Sequence, residues 1–209
     1  MSQQVPEVPI QRVEVDAVST SLPLQYVELS KKEATSLVVD NHYLHRRCPI
    51  SFSWGIEQEG KIVGVLTIGK PCSWTVTCGL VGEKRLETRD PSARTHDVFE
   101  LNRIWLHDSL PRNSESQFIG SCLRELKKKK PYIILVSFAD TSMGHVGYVY
   151  QATNWIYTGT SVPFTDKVFD GKSTRRVPRT IKHRYVWFAD QRDRSLLNWE
   201  VQPYPKRTA

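Results

Sequence analysis

The stretch FELNRIWLHDSLPRNSESQFIGSCLREL, residues Phe99–Leu126, changes its hydrophobic period midway, and that change decides the fold. The first part, through Leu106, alternates apolar and polar residues and predicts a central strand. The second part sets Phe118, Ile119, Cys122, Leu123 and Leu126 at helical spacing, which makes one face of a helix apolar. Between the two lies Arg112-Asn113-Ser114-Glu115-Ser116, at the mouth of the helix. A strand, a loop and a helix N-terminus in that order often hold phosphate, because first-turn amides and the helix dipole face an anion. Phosphate loops use glycine so that the ligand can reach the backbone. This loop has none: Glu115 to Gln117 crowd the approach, and the Glu115 carboxylate repels a pyrophosphate. Ser114 with Gln117 is expected to cap the helix instead.

Working outward, YIILVSFAD (Tyr132–Asp140) is a continuous apolar run and predicts a buried strand. GHVGYVYQATNW reads as a helix, IYTGTS as the start of a strand, and HRYVWFA as the last clear strand. Upstream, LQYVEL (Leu24–Leu29) predicts a short strand. Ser30 and Glu33 have the spacing of a capping box, so a helix starts near Lys31 and ends before Pro49. ISFSWGIEQEGKIVGVLTIGKP reads as a hairpin turning at Glu59-Gly60. Residues 72–95 read as a long excursion. The resulting order is β, α, β-β, β, α, β, α, β, β, an α/β sheet with at least one parallel pair.

The 209 residues suit one domain, with a polar N-terminal lead-in over 1–22, a body over 23–190 and a C-terminal tail over 191–209. No apolar run reaches the ~18 residues of a membrane span, and the N-terminus shows no basic-then-apolar signal pattern. The expected location is therefore cytoplasmic. Cys48, Cys72, Cys78 and Cys122 form no CxxC pair and read as reduced thiols. Net charge is +7, and Gly171–Ala189 holds Lys172, Arg175, Arg176, Arg179, Lys182 and Arg184 with no acid. Such a run suits a polyanion, and a solvated surface explains it equally well. The Lys127–Lys130 run complements a helix C-terminus.

From Asp97 to Gly159 the element order, with ELNRIWL, YIILVSFAD and YQATNWIYTG, resembles the GNAT acyltransferase superfamily. Asn154-Trp155 stands where Gly-Phe is usual there. The resemblance implies a mixed central sheet whose two middle strands splay apart, flanked by helices, with a coenzyme A thioester in the notch. NHYLHR, GVLTIGKP, ELNRIWL, RNSESQFIG and GHVGYVYQATNWIYTG together resemble, more specifically, the phage Mom family of DNA adenine-modification enzymes. That resemblance covers roughly residues 25–190 and implies conversion of adenine in duplex DNA to its N6-carbamoylmethyl form, which protects phage DNA from host restriction. It further implies a phage- or prophage-encoded protein acting in a bacterial cell on double-stranded DNA, with a small-molecule donor and ferrous iron; a homodimer stays open.

Several residues become candidates on that footing. His42 and Tyr43 are the expected iron ligands, with His45 as a second imidazole and Tyr43 also a catalytic acid; a packed pair is the structural alternative. Arg103 orients a carboxylate or carbonyl of the donor, or pairs with Glu100 or Asp140. Asp140, at the carboxyl edge of the sheet, binds metal or takes the adenine proton, or caps the next turn. Tyr150 occupies the place of the GNAT tyrosine that protonates a leaving thiolate. Gly144 and Gly147 are expected to let their helix approach a ligand. Arg112, Asn113 and Ser114 are the remaining coenzyme contacts in a glycine-poor loop, for acetyl-CoA or another small donor. Because adenine N6 is engaged in pairing, base flipping is the expected route, with Trp54 and Trp74 for stacking and Arg175, Arg176, Arg179, Lys182 and Arg184 for phosphates. Two rival functions remain: an acetyltransferase for a small amine or a protein, and a non-catalytic DNA-binding protein on the same scaffold.

Overall fold

A computed structural model describes residues 24–71, 73–82, 98–162, 165–169, 174–178 and 180–206. Among them, nine strands and four α-helices follow in the order β1 (Gln25–Glu28), α1 (Lys31–Asn41), β2 (Phe52–Gln58), β3 (Lys61–Gly69), α2 (Trp74–Val81), β4 (Val98–Leu106), α3 (Ser114–Lys129), β5 (Ile134–Asp140), α4 (Tyr148–Ala152), β6 (Ile156–Thr160), β7 (Thr165–Phe169), β8 (Thr174–Pro178) and β9 (Lys182–Phe188). Seven strands form one sheet in the order β1-β2-β3-β4-β5-β9-β6, and β7 with β8 makes a separate ribbon. The β4–β5 pair is parallel, as the alternation of strands and helices predicted; its neighbours are antiparallel.

Both faces of the sheet are covered. Phe118, Ile119, Cys122, Leu123 and Leu126 of α3 lie in a core with Leu66, Phe99, Leu135 and Tyr185, each contributing about 2 kcal/mol where fully buried. On the other face, Ala34 and Val38 of α1 pack against Val65, and Leu80 and Val81 of α2 pack against Ile134, Val136 and Val186. Residues of β5 alternate between the two cores, which is why its sequence reads as unbroken apolar.

Three expectations are corrected. The 72–95 excursion contains α2, capped by the Ser73 hydroxyl. The predicted GHVGYVYQATNW helix is only five residues long, because Gly144 (φ 68°) and Gly147 (φ 79°) hold left-handed backbone and a 3-10 turn over Thr141–Met143 comes first. The ribbon β7–β8 carries no alternating apolar face and was not anticipated.

The pairing of β4 with β5 ends early. It runs over Val98↔Ile134, Phe99↔Leu135 and Glu100↔Val136 and then stops, although both strands continue. This is the splay that the family resemblance implied. On its other edge β4 carries a bulge: Thr67 faces Arg103 and Ile68 faces Leu101, so Asn102 is the extra residue.

Candidate active site at the splayed strands

The notch is opened by side chains that replace backbone pairing. One residue beyond the last β4–β5 rung, the Ser137 hydroxyl bridges the Leu101 carbonyl and the Tyr150 phenol, each at 2.8 Å. Asn102, turned outward by its bulge, accepts from the Thr67 hydroxyl at 2.7 Å and donates to the Pro49 carbonyl at 2.7 Å. That second bond ties β4 to the loop following His42-Tyr43. Gly69 is needed there, since a Cβ would collide with the Pro49 backbone.

α1 ends at Asn41, with His42 as its C-cap in extended conformation. His42 and His45 therefore do not share a helical face. His45 takes a left-handed backbone (φ 44°), and its Nδ1 lies 2.9 Å from the Val39 carbonyl. His42 is buried, its ring centroid 4.3 Å from that of Tyr43, and its Nδ1 accepts the Leu44 amide at 3.2 Å. Burial first, then the positive charges of Arg103, His45, Lys182 and His145, push its pKa down to about 4, so the ring is neutral. Tyr43 is 41% exposed at the mouth; burial and the neighbouring Asp140 carboxylate raise its pKa, with Arg103 opposing.

These details test the expected iron site. With Nδ1 of His42 accepting an amide proton, the neutral ring carries its own proton on Nε2 and presents a donor there, not a lone pair. The Tyr43 phenol is held protonated, and among the described residues no group of three His, Cys, Asp or Glu stands together. The geometry among the described residues therefore lends the iron expectation no support.

Arg103 is half-buried. Its Nη1 donates to the Asn102 carbonyl at 2.5 Å, while its Nε is buried without a partner. It makes no ion pair among the described residues, so neither Glu100 nor Asp140 fills the structural role anticipated for it. The carboxylate of Asp140 is instead fully engaged: Oδ1 accepts from the Ser142 amide (3.0 Å) and hydroxyl (2.7 Å), and Oδ2 from Thr180 (3.0 Å) and Lys182 (3.3 Å). Burial raises its pKa, but Ser142, Lys182 and Thr180 outweigh that, and the net direction is down. Asp140 is thus an ionised cap of the Thr141–Met143 turn. Tyr150 is buried beneath the notch, and burial pushes its pKa up to about 12, against the lowering effect of Ser137.

At the helix mouth, Arg112 and Asn113 are exposed. Asn113 occupies the left-handed conformation (φ 69°) that glycine usually supplies, and it caps α3 without a side-chain bond. The expected Ser114–Gln117 cap is absent: the Ser114 hydroxyl donates to the Pro111 carbonyl at 2.7 Å, and the Gln117 amide bonds the Asn113 carbonyl. A Cβ at Gly147 would meet the Tyr185 ring, and Gly144 has open space where a Cβ would stand.

The nucleic-acid candidates divide. Trp54 is in the core, so it cannot stack on a base, whereas Trp74 is 66% exposed at the start of α2. Arg184 donates to the Thr158 hydroxyl (2.9 Å) and carbonyl (2.8 Å) and lies 3.6 Å over the Trp199 ring. Lys182 pairs with Asp140. The side chains of Arg175 and Arg176, in β8, and all of Arg179 lie outside the described residues. Sequence reasoning missed Ser137, Asn102, Thr180 and His145; Ser137 and Asn102 signalled themselves as polar residues interrupting apolar strands, while Thr180 and His145 lie outside the strands and gave no signal.

A cavity of about 700 Å³ opens at the far end of the sheet, lined by Trp155, Tyr157, Trp187, Tyr204, Lys127 and Arg194 among others. None of the candidate residues lines it; of the candidates, His42, Tyr43 and Tyr150, all with shifted pKa, lie at the notch.

Comparison with known proteins bears on this geometry. The model of the Mom protein family matches residues 23–177. A methylcarbamoylase of Escherichia phage Mu is 32% identical over 206 residues, an alignment covering 85% of this chain and 78% of that protein. An N-acetyltransferase from Staphylococcus aureus Mu50 superposes over 80% of this chain and 99% of its own with a TM-score of 0.50 and 14% identity. An agmatine N-acetyltransferase variant in apo form does so over 79% and 100%, with a TM-score of 0.50 and 10% identity. Those two establish the GNAT-like fold. No helix among the described residues is long and apolar enough to cross a membrane.

Proposed function

The chain belongs to the Mom protein family, and from that premise we propose that it is a transferase converting adenine in duplex DNA to N6-carbamoylmethyladenine, and so shields phage DNA from restriction. The observation that carries this reading is the 32% identity with the phage Mu methylcarbamoylase over most of both chains. In support, β4 and β5 part beyond Glu100↔Val136, with the Arg103 cation beside the opening, Ser137 and Tyr150 hydroxyls at its root and Tyr43 at its mouth.

The product sets a constraint. Attack of adenine N6 on a thioester carbonyl gives an N6-acetyl amide, whereas a carbamoylmethyl group joins N6 to a methylene carbon. The fold is that of acetyltransferases, and the bond formed is of another kind. Arg103, whose Nε is buried without a partner, is placed to receive the carbonyl oxygen of a small donor. Tyr43, a protonated phenol at the mouth, donates a hydrogen bond to the incoming base. Asp140 fixes the turn that forms one lip. Tyr150, with its high pKa, is a hydrogen-bonded proton carrier at the root. The exposed Arg112 and the left-handed Asn113 leave a reduced phosphate-facing loop where a coenzyme-derived donor would lie.

The test is mass spectrometry of nucleosides from DNA of cells expressing the chain, beside Arg103→Gln. The expected result is a deoxyadenosine species heavier by a carbamoylmethyl group, reduced about 100-fold or more in the variant, as for loss of an oriented charge-assisted bond. N6-acetyladenine would move the reading to acyl transfer on DNA. Unmodified DNA with folded protein would move it to another substrate or to binding alone.

A further inference from the structure

The turn joining β5 to α4 is tightly bonded, yet it holds large apolar side chains out in solvent. Asp140 accepts from both the amide and the hydroxyl of Ser142. The amide and hydroxyl of Thr141 both donate to the Ile181 carbonyl, at 3.3 and 2.5 Å. Gly144 closes the turn with its amide on the Thr141 carbonyl (3.0 Å), and the His145 amide returns to the Asp140 carbonyl (3.2 Å). The Tyr185 phenol anchors the far side on the Val146 carbonyl. From this frame Met143 stands 47% exposed and Tyr148 55% exposed, with Ile181 beside the turn at 41%. The His145 ring lies edge-on to Tyr43 with centroids 6.4 Å apart, which places the turn at the notch mouth.

We propose that the Thr141–Tyr148 turn is a wedge that opens the DNA duplex, with Met143 entering the base stack where the target adenine has left it. The inference rests on the adenine-modifying reading and adds the element that makes the base accessible. Adenine N6 donates in the base pair, so it reaches the notch only when the nucleotide leaves the helix. The gap left behind closes again unless something apolar fills it, and methionine is among the side chains that enter base steps in this way. A wedge must not yield when pressed against the stack, which accounts for so many bonds in so short a turn. Duplex DNA is the occupant the charge favours: the chain carries +7, and the segment from Gly171 to Ala189, which contains Ile181, has Lys172, Arg175, Arg176 and Arg179 besides the engaged Lys182 and Arg184, and no acid.

The experiment uses the full-length protein and duplexes carrying 2-aminopurine at the target position in every flanking context, with binding followed by anisotropy. The wild type is expected to enhance 2-aminopurine fluorescence. Met143→Ala should bind within about twofold but lose about fivefold or more of the enhancement on paired DNA. That loss should disappear when the probe lies opposite an abasic site, where no pair needs opening. Val201→Ala, more exposed than Met143 (61%) but lining the cavity at the far end, should behave as wild type. Full enhancement by Met143→Ala on paired DNA would overturn the proposal, as would a loss that persists opposite the abasic site. Absence of enhancement by the wild type would overturn it too. If cellular DNA is still modified, the failure is the wedge's alone; if it is not, the reading beneath it has failed as well.

Discussion

At their roots β4 and β5 pair like any parallel strands, and a few residues later the same two strands part. Ile134, Leu135 and Val136 are fully buried with ladders on both sides. Ser137 to Asp140 keep β9 but lose β4. Apolar residues on both faces hold the root, because side-chain burial and backbone pairing favour the same geometry there. At the open end, polar side chains take up β4 carbonyls beyond the last rung: Ser137 donates to that of Leu101 and Arg103 to that of Asn102. The splay is therefore built by hydrogen bonds directed to side chains, and the gap they leave is lined by those same side chains.

The sharpest way to break this arrangement is Ser137→Ala, at the boundary between the two regimes. It leaves the Leu101 carbonyl and the Tyr150 hydroxyl without the partner that bridges them, in a place water does not reach. The expected cost is about 2 kcal/mol, which lowers Tm by about 6 °C for a domain of this size. An unchanged melting temperature would show that the root closes without the bridge.

The contrast also explains which parts of the molecule could be read from sequence. The root was legible: YIILVSFAD and the apolar face of α3 carry their burial in their periodicity. The capping box of Ser30 and Glu33 was legible for the same reason, being local, and both of its bonds are present. The open end was not, because its geometry depends on contacts between residues far apart in the chain. Nothing near Asn102 announces that its amide holds Pro49, and nothing near Asp140 announces Thr180. The bulge at Asn102 also resets the alternation of β4, which defeats a period-2 reading of which residue faces the notch. His42 and Tyr43 became candidates through motif resemblance, but the orientation of the His42 ring depends on one amide, that of Leu44.

Burial of His42 gives the second prediction, in which the open end fails with acid before the root does. Its folded pKa lies near 4, below the ordinary histidine value of 6.5. Between those values the unfolded chain takes up a proton that the folded chain refuses, so stability falls as pH drops from 6.5 toward 4 and levels off below. The contribution has an upper bound of about 3 kcal/mol, reached only below the folded pKa, and is smaller over the range measured. Asp140 acts in a lower window: its folded pKa is depressed, so its contribution stands above the ordinary carboxylate value and is lost only as pH falls through the folded one. Thermal melts from pH 7 to 4.5 should therefore slope downward for the wild type and be flatter for His42→Gln, whose side-chain oxygen can still accept from Leu44. Parallel profiles would assign the acid sensitivity to other groups.

Lys182 offers the smallest effect and separates two roles for a cation at this end of the sheet. Its Nζ lies 3.3 Å from Asp140 Oδ2, with the lysine side chain 31% exposed and the carboxylate 7% exposed. Asp140 keeps three other donors when the lysine is removed, from Ser142 and Thr180. Lys182→Gln should therefore cost only about 0.5 kcal/mol, as for a partly exposed pair. A lysine that contacts a DNA phosphate adds roughly 0.9 to the salt dependence of binding, on a log-log plot of affinity against salt. Because its charge is already committed to Asp140, the expected result for Lys182→Gln is an unchanged slope. A slope reduced by a full contact would mean that DNA draws Lys182 away from Asp140 on binding, and that the polar groups of the open end exchange partners when the substrate arrives.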